Sequence, residues 1–432
     1  MATPTITTTE DGIIPKGTQY DIVGDIPEGD IPITVSDVYA ASTRIKGLAY
    51  YTALEFSNTI SKIAGCKVYL KLENLQKTGS FKVRGAINKI ATLTEEQKKK
   101  GVVAASAGNH AQGVAFASRN AGISATIVMP EFASTAKIAA TKGYGAEVIL
   151  HGKVFDESLA YAMKLCQEEG KTFVHPFNDK YVMAGQGTIA LEILDQLADA
   201  DVIVGAIGGG GLLSGIAYVA KTFKPSIRVI GVQAETCPSM AVTKKEHKLC
   251  LMKSAKTLAD GIAVKQPGSL TANVMMKYVD EVVTVDEESI AHAMVMMLER
   301  CKIVSEGAGA TPVAALLSGK IKGLTENTNV VCVVSGGNLD VSMISKVIER
   351  GLIKAGRKVE FTVEILDVPD SIHQLLLSIN KEKGSVTSFT TRRPATLTLG
   401  ICLCDVEMQC YGAEHRDKIF ESLEKDGYNL VK

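Results

Sequence analysis

Two stretches of this chain combine residue types and spacing that can do chemistry. Lys82 lies in KLENLQKTGSFKVRGA, residues 71–86, just past a turn-forming Lys77, Thr78 and Gly79. Gly208, Gly209, Gly210 and Gly211 lie in VIVGAIGGGGLLSGIA, residues 202–217, between two apolar runs. A lysine amine becomes a nucleophile or base once a site desolvates it or holds it as a Schiff base. Four glycines after a strand let the backbone approach a ligand closely, and their N–H groups, with the helix N-terminus that follows, bind an anion. Each feature alone is commonplace: a first-turn lysine is commonly a solvated charge, and a glycine-rich turn is commonly only a turn. A helix N-terminus also disfavours a cation. That conflict disappears if the amine is neutral or consumed as an imine.

Two further polar turns carry usable groups. In SAGNH, residues 106–110, Asn109 can donate to an oxygen and the exposed N–H groups can hold a carboxylate. Ser106 serves equally as a helix cap, and His110 is expected to pack at the helix start rather than act as a base. In SGGN, residues 335–338, Ser335 can be a neutral hydrogen-bond partner for a ring nitrogen, or simply cap a turn. The glycine loop lacks the GxxxxGK[ST] pattern, which disfavours nucleoside triphosphate hydrolysis, and without a first-strand GxGxxG a dinucleotide is weakly supported. An amine together with an anion cradle points to a phosphorylated aldehyde cofactor, pyridoxal 5'-phosphate.

These groups need a scaffold. Residues 33–63 read as mostly helical, with Ser36 or Asp37 as a cap and helical periodicity over Tyr51 to Ile63. Residues 67–72 read as a strand, and a helix is predicted from about Ser80, placing Lys82 in its first turn. From residue 101 short apolar runs (VVAA, ATIVMP, AEVIL, KTFVH, VIVGAI, RVIGVQA, EVVTV, NVVCVVS) alternate with helical patterns that start at Ala111, after Ser134, at Asp156 and at about Gly185. That alternation predicts an α/β fold, a parallel sheet covered on both faces. Ligands bind at the carboxyl ends of such strands. SAGNH, GGGG and SGGN each begin where a strand ends, so all three are predicted to open toward one crevice.

After Lys354 the pattern changes. Gly356 to Lys358 reads as a hinge, and VEFTVEIL alternates with period two. A helix capped by Ser371 or Asp370, strands in SVTSFTT and ATLTLGICLC, a helix over residues 414–425 and a closing NLV complete a βαββαβ order, an α+β ferredoxin-like module. The expected division is a flexible extension at 1–30, a catalytic domain at 31–355 and a regulatory domain at 356–432.

Composition excludes several classes. The 432 residues carry 47 Lys+Arg and 47 Asp+Glu, so no global field draws nucleic acid or an anionic membrane. Nine cysteines without a CxxC pair, and no His/Cys cluster at ligand spacing, predict a reduced cytoplasmic protein without a metal site. The N-terminus lacks the marks of a secretory signal. The longest uncharged run, residues 202–220, contains the four glycines and reads as strand, turn and helix rather than a membrane span.

Seven motifs appear in order: SFKVRGA, SAGNHAQGVA, GQGTIALEI, GGGGLLSGIA, TLADGIAV, SEGAGA and VSGGN. In combination, over about residues 35–350, the chain strongly resembles the fold-type II (tryptophan synthase β-like) pyridoxal-phosphate enzymes with two parallel-sheet lobes, specifically the threonine dehydratases (threonine ammonia-lyases) of the catabolic type. The tail from 357 resembles an ACT domain. The resemblance implies that Lys82 holds the cofactor as a Schiff base and then moves the substrate Cα proton. Phe81 would pack on the cofactor ring, Asn109 would bond its phenolic oxygen, Gly208 to Gly211 with Leu212 would hold the phosphate, and Ser335 would face the pyridine nitrogen. Ser106, Ala107, Gly108 and His110 would form the carboxylate side of the substrate site, with Gly261 and Glu306 lining the rest.

It also implies β-elimination from L-threonine and L-serine, in a homo-oligomer (dimer or tetramer) answering to an amino-acid or nucleotide effector. Asp367, Pro369 and Asp370 mark where a tail effector such as isoleucine or valine would sit. Serine racemase, the main rival, needs a second serine where this chain has Ala107, and the acidic pattern of its cation site is incomplete around Glu235. A rival of another class is an amino-acid-sensing protein without catalysis; Lys82 and the complete glycine loop argue against it.

Overall fold

The structure, a computed structural model, describes residues 5–7 and 13–431. The chain divides into two compact units, Met1–Val341 and Ser342–Lys432. Among the described residues the first unit holds two sheets rich in parallel strands. The larger runs in the order Glu281–Val285, Arg228–Ala234, Val202–Ala206, Asn329–Val334, Lys67–Leu72 and Leu54–Phe56. Its pairings are parallel except the last. The smaller runs Glu147–Leu150, Ala125–Met129, Val102–Ala105 and Thr172–Phe173, all parallel. Every residue of Val202–Ala206, Asn329–Val334 and Val102–Ala105 is buried, as strands between two helical layers must be. The predicted α/β fold with two parallel-sheet lobes is the one observed.

The Lys82 helix, Lys82–Ala91, buries Val83, Ile87 and Ile90 in the core of the smaller lobe. Its other side meets the helix Lys180–Gln196. A Cβ on Gly185 would lie 2.7 Å from the Cα of Gly85, so the two backbones touch there and only glycine fits.

Several local expectations are corrected. The helix Val35–Ile45 is capped by Thr34, not Ser36 or Asp37; the Asp37 carboxylate accepts the Thr34 N–H at 2.8 Å and closes a capping box. Over Tyr51 to Ile63 the chain is not one helix: Leu54–Phe56 is an antiparallel edge strand, and Ser57 caps a short helix, Asn58–Ala64. The helix expected from Gly185 starts at Lys180, where the Asp179 carboxylate accepts the Tyr181 and Val182 N–H groups. The KTFVH strand shrinks to Thr172–Phe173.

The extension expected to be flexible to residue 30 contains the strand Thr18–Asp25, which pairs with Lys248–Met252. Tyr20 there is fully buried and donates to Glu246 at 2.8 Å. Positions 1–4 and 8–12 lie outside the described residues. No helix among the described residues is long and apolar enough to cross a membrane.

The second unit starts inside the range expected for the catalytic domain and takes in most of the helix Val341–Lys354. Its antiparallel sheet runs Ser385–Arg392, Ile401–Gln409, Lys358–Leu366 and Asn429–Val431, the ferredoxin-like order. The third strand starts at Ile401, later than ATLTLGICLC suggested. Cys402, Cys404, Val406 and Met408 alternate into its core. Asp370 is the N-cap position of Ser371–Lys381, but its backbone is left-handed and its carboxylate accepts from Gln374 instead of capping.

Candidate active site

The turn before Lys82 is stitched to the SGGN turn at the end of Asn329–Val334. The Phe81 N–H donates to Ser335 O at 3.0 Å and the Gly337 N–H donates to Gly79 O at 2.9 Å. The Asn338 amide reaches Thr78 O at 2.8 Å. A sequence separation of about 250 residues is thus closed by backbone pairing, and Lys82 is delivered to the carboxyl end of the larger sheet.

From there one hydrogen-bond chain joins the motifs. Asn338 donates to the Asn109 side-chain oxygen at 2.7 Å, and the Asn109 amide donates to Glu306 Oε1 at 2.7 Å. Glu306 is buried, reached after a π-turn at Met297–Cys301 and Lys302 in the left-handed region. Burial, with Asp260 nearby, pushes its carboxyl up to about 7, against the pull of the Asn109 hydrogen bond.

The Lys82 amine donates to Pro176 O at 2.9 Å. Enclosure in the cavity wall lowers its pKa to about 8, although Glu306 works in the opposite direction. In the cofactor-free protein, reaction of Lys82 with an amine-specific acylating reagent should therefore reach half its limiting rate near pH 8, not near the ordinary 10.5. A mass-resolved labelling series across pH checks this.

The glycine loop follows Val202–Ala206 and opens the helix Gly211–Phe223. Gly210 takes φ +97°, and a Cβ on Gly209 would sit 2.4 Å from the Phe177 ring. Among the described residues no protein acceptor meets the N–H groups of Gly208 through Leu212, the usual state of a helix N-terminus that serves an anion. Gly209→Ala would drive a methyl into Phe177 at a cost of about 1–3 kcal/mol. The expected reading is at least roughly tenfold weaker pyridoxal-phosphate retention, measured by equilibrium dialysis.

At the end of Val102–Ala105, Ser106 accepts the Gly108 N–H at 3.2 Å, and Gly108 occupies the N-cap position of Asn109–Ala121. Ser106 therefore shapes the turn rather than capping the helix. His110 meets Val174 O at 2.7 Å, and burial followed by the Lys82 charge holds it down to about 3. It packs, as expected, and is no base at neutral pH.

Phe81, Lys82, Ser106, Ala107, Gly108, Asn109, His110, the four glycines, Leu212, Gly261, Glu306 and Ser335 all line one cavity of about 1120 Å³. The wall also holds residues that sequence reasoning missed: His175, Pro176, Phe177 and Asn178, with Asn338, Lys137 and Asp260. HPFN begins just past a strand end, as the other three motifs do. That signal was available, but the strand before it has only two residues. Among the described residues no cluster of His, Cys, Asp and Glu has the arrangement of a metal site.

The family model described as "Pyridoxal-phosphate dependent enzyme" matches residues 45–336. The chain belongs to that family. Similar proteins include an L-threonine ammonia-lyase of Thermotoga maritima, 46% identical over 399 residues, covering 92% of this chain and 99% of the relative. An L-threonine dehydratase catabolic TdcB of Staphylococcus aureus is 52% identical over 322 residues, 74% of this chain and 93% of the relative. Among solved structures, maize serine racemase superposes with TM-score 0.71 at 36% identity, over 74% of this chain and 98% of that one. Processed threonine deaminase isoform 2 of Solanum lycopersicum gives 0.69 at 34%, over 78% and 99%. The Thermotoga match necessarily reaches the second unit, because residues 1–341 cannot supply 92% of 432.

The family's cofactor fits this cavity. The glycine loop keeps clear the space a Cβ would fill and leaves its N–H groups without protein acceptors, while Lys82 presents a low-pKa amine.

Proposed function

We propose that this protein converts L-threonine to 2-oxobutanoate and ammonia, and L-serine to pyruvate and ammonia. The observation that carries the reading is the Lys82 amine, part-enclosed, held by one carbonyl and brought near neutrality, in the same cavity as the glycine anion cradle. Pyridoxal phosphate bound there supplies an electron sink for the bond-breaking at Cα and Cβ. Lys82 holds it and then takes the Cα proton. The N–H groups of Gly208 to Leu212 hold its phosphate, Phe81 packs its ring, Asn109 bonds its phenolic oxygen and Ser335 meets its ring nitrogen. A serine partner leaves that nitrogen largely unprotonated, which favours fast elimination over slower reactions at Cα. Ser106 and the neighbouring N–H groups bind the substrate carboxylate, the Gly108 N–H turning to it from the Ser106 oxygen that it meets at 3.2 Å.

The likeness to maize serine racemase favours a second reading, racemisation of serine. Ala107, in the cavity wall, has no proton to give on the far face of Cα. Elimination without efficient racemisation follows. The ferredoxin-like tail acts as an ACT-type regulatory module binding a branched-chain amino acid, within a homo-oligomer. Asp367 there is already engaged by Arg393 at 2.6 Å and 2.7 Å, so an effector would meet an ion pair rather than a free carboxylate. An oxo-acid assay with L-threonine, L-serine and D-serine, with and without isoleucine or valine, tests all of this. Chiral analysis showing D-serine formed from L-serine faster than pyruvate would sink the elimination reading.

A further inference from the structure

We propose that His175 is a substrate-positioning residue, a fixed neutral donor to the oxygen that leaves the substrate's β-carbon. The proposal rests on the elimination reading above.

His175 Nδ1 accepts the Phe177 N–H at 3.2 Å and the Asn178 N–H at 2.8 Å. A ring nitrogen that accepts two backbone donors carries no hydrogen, so in the neutral ring the hydrogen is on Nε2. The ring is braced edge-on by Phe173 at 5.9 Å and Phe177 at 4.6 Å. His175 lines the cavity, and among the described residues its hydrogen bonds are both at Nδ1, with no protein acceptor at Nε2. The next residue along the chain, Pro176, supplies the carbonyl that holds the Lys82 amine at 2.9 Å. The donor is therefore built one residue away from the base's anchor. Burial and then the Lys82 charge keep the ring neutral, with Asp179 acting weakly the other way and His110 also nearby.

The other polar groups of the bound substrate and cofactor have donors assigned above. The β-hydroxyl of the amino acid has none. In the elimination the Cα–H bond breaks with its proton going to Lys82, and the Cβ–O bond breaks with its electron pair going to oxygen. Overall one Cα proton and one Cβ hydroxide leave as water. Charge gathers on that oxygen as the bond breaks, and a preorganised N–H opposite it is stabilising. His175 keeps its own proton throughout. A neutral donor suits the place, because a second cation would repel the protonated Lys82.

The test compares holoenzymes of wild type, His175→Asn, whose amide oxygen can keep the acceptor for the Phe177 and Asn178 N–H groups, and His175→Gln on L-threonine and on β-chloro-L-alanine, whose chloride needs no donor to leave. His175→Asn, which is too short to place an N–H at the Nε2 position, should lose about 100-fold in kcat on L-threonine, the usual loss for one preorganised donor, and stay within about threefold on β-chloro-L-alanine. His175→Gln, which restores an N–H near the Nε2 position, should recover most of the loss. The cofactor absorbance and its retention on dialysis should be unchanged in both. Equal losses on the two substrates, no recovery in His175→Gln, or weakened cofactor retention would each overturn the proposal; the last would assign the donor to the phosphate. A wild type that eliminates chloride but makes no 2-oxobutanoate would instead sink the functional reading on which the proposal stands.

Discussion

Lys82→Ala should fold as the wild type does but make 2-oxobutanoate from L-threonine roughly 10³–10⁴-fold more slowly, the upper range for loss of a positioned general base. The size of the effect follows from the surroundings. Three other lysines of the cavity wall are committed elsewhere: Lys137 bonds Asp260 at 2.7 Å, Lys253 pairs with Asp21, and Lys265 faces Asp156 at 3.9 Å. Among the described lysines of the cavity wall, Lys82 is the one that combines a lowered pKa with a carbonyl that fixes its direction. Lys82→Arg should not rescue, because a guanidinium stays protonated at any working pH.

The same variant has a stability signature in the cofactor-free protein. The folded pKa of Lys82, about 8, lies below the ordinary 10.5, so enclosing the charged amine opposes folding. That penalty is fully present below pH 8 and fades as pH rises toward 10.5. Cofactor-free Lys82→Ala should therefore be at least as stable as wild type at pH 7, with the difference shrinking at alkaline pH. A loss of stability at pH 7 would mean that the activity loss reports misfolding.

Arg84→Met is the other large expected effect, and it falls on folding. Arg84 is fully buried two residues beyond Lys82. It makes bonds of 2.7 Å and 2.8 Å to the two Glu73 oxygens and 2.6 Å and 2.9 Å to the two Glu192 oxygens. Lys71, also fully buried, bonds Glu192 at 2.6 Å and Thr52 O at 2.8 Å. Two cations thus face two carboxylates, and the same guanidinium nitrogens also lie 3.2 Å from the Thr188 hydroxyl and 3.1 Å from Tyr50 O. Removing the guanidinium strands Glu73 in the interior, which costs about 3–5 kcal/mol. An exposed pair such as Lys98 with Glu95 is solvent-screened, and breaking it should barely move stability. Urea unfolding of Arg84→Met beside a Lys98→Met control reads the contrast.

The pH dependence has a definite sign. Desolvation pushes the Glu73 carboxyl up, but Arg84, Thr52 and Lys71 together pull it further down, so its folded pKa lies below 4.5. Its stabilisation is fully present above pH 4.5 and is lost as pH falls through the folded value. The midpoint gap between wild type and Arg84→Met should close in acid.

The parts of the site that could be read from the sequence share one cause. SAGNH, GGGG and SGGN each follow an apolar strand long enough to recognise, and parallel strands place their carboxyl ends together. Their placement around one cavity needed nothing beyond that rule. What stayed hidden depends on distant partners. Thr18–Asp25 reads as a polar tail because its partner, Lys248–Met252, lies more than 220 residues away. Arg84, Glu73, Lys71 and Glu192 look like ordinary surface charges until the fold closes them on one another. His175 gained its role as a fixed donor from a backbone turn that spacing alone does not reveal. Gly185 suggested a helix start, yet it lies inside one, where it permits contact with Gly85.

The cavity is expected to hold pyridoxal phosphate on Lys82. Borohydride reduction of the purified holoenzyme, followed by peptide mass spectrometry, tests it most directly. A pyridoxyl group fixed on the peptide containing Lys82, and lost in Lys82→Ala, is the predicted result. A cofactor-saturated protein carrying the group on another lysine, or on none, would contradict the account.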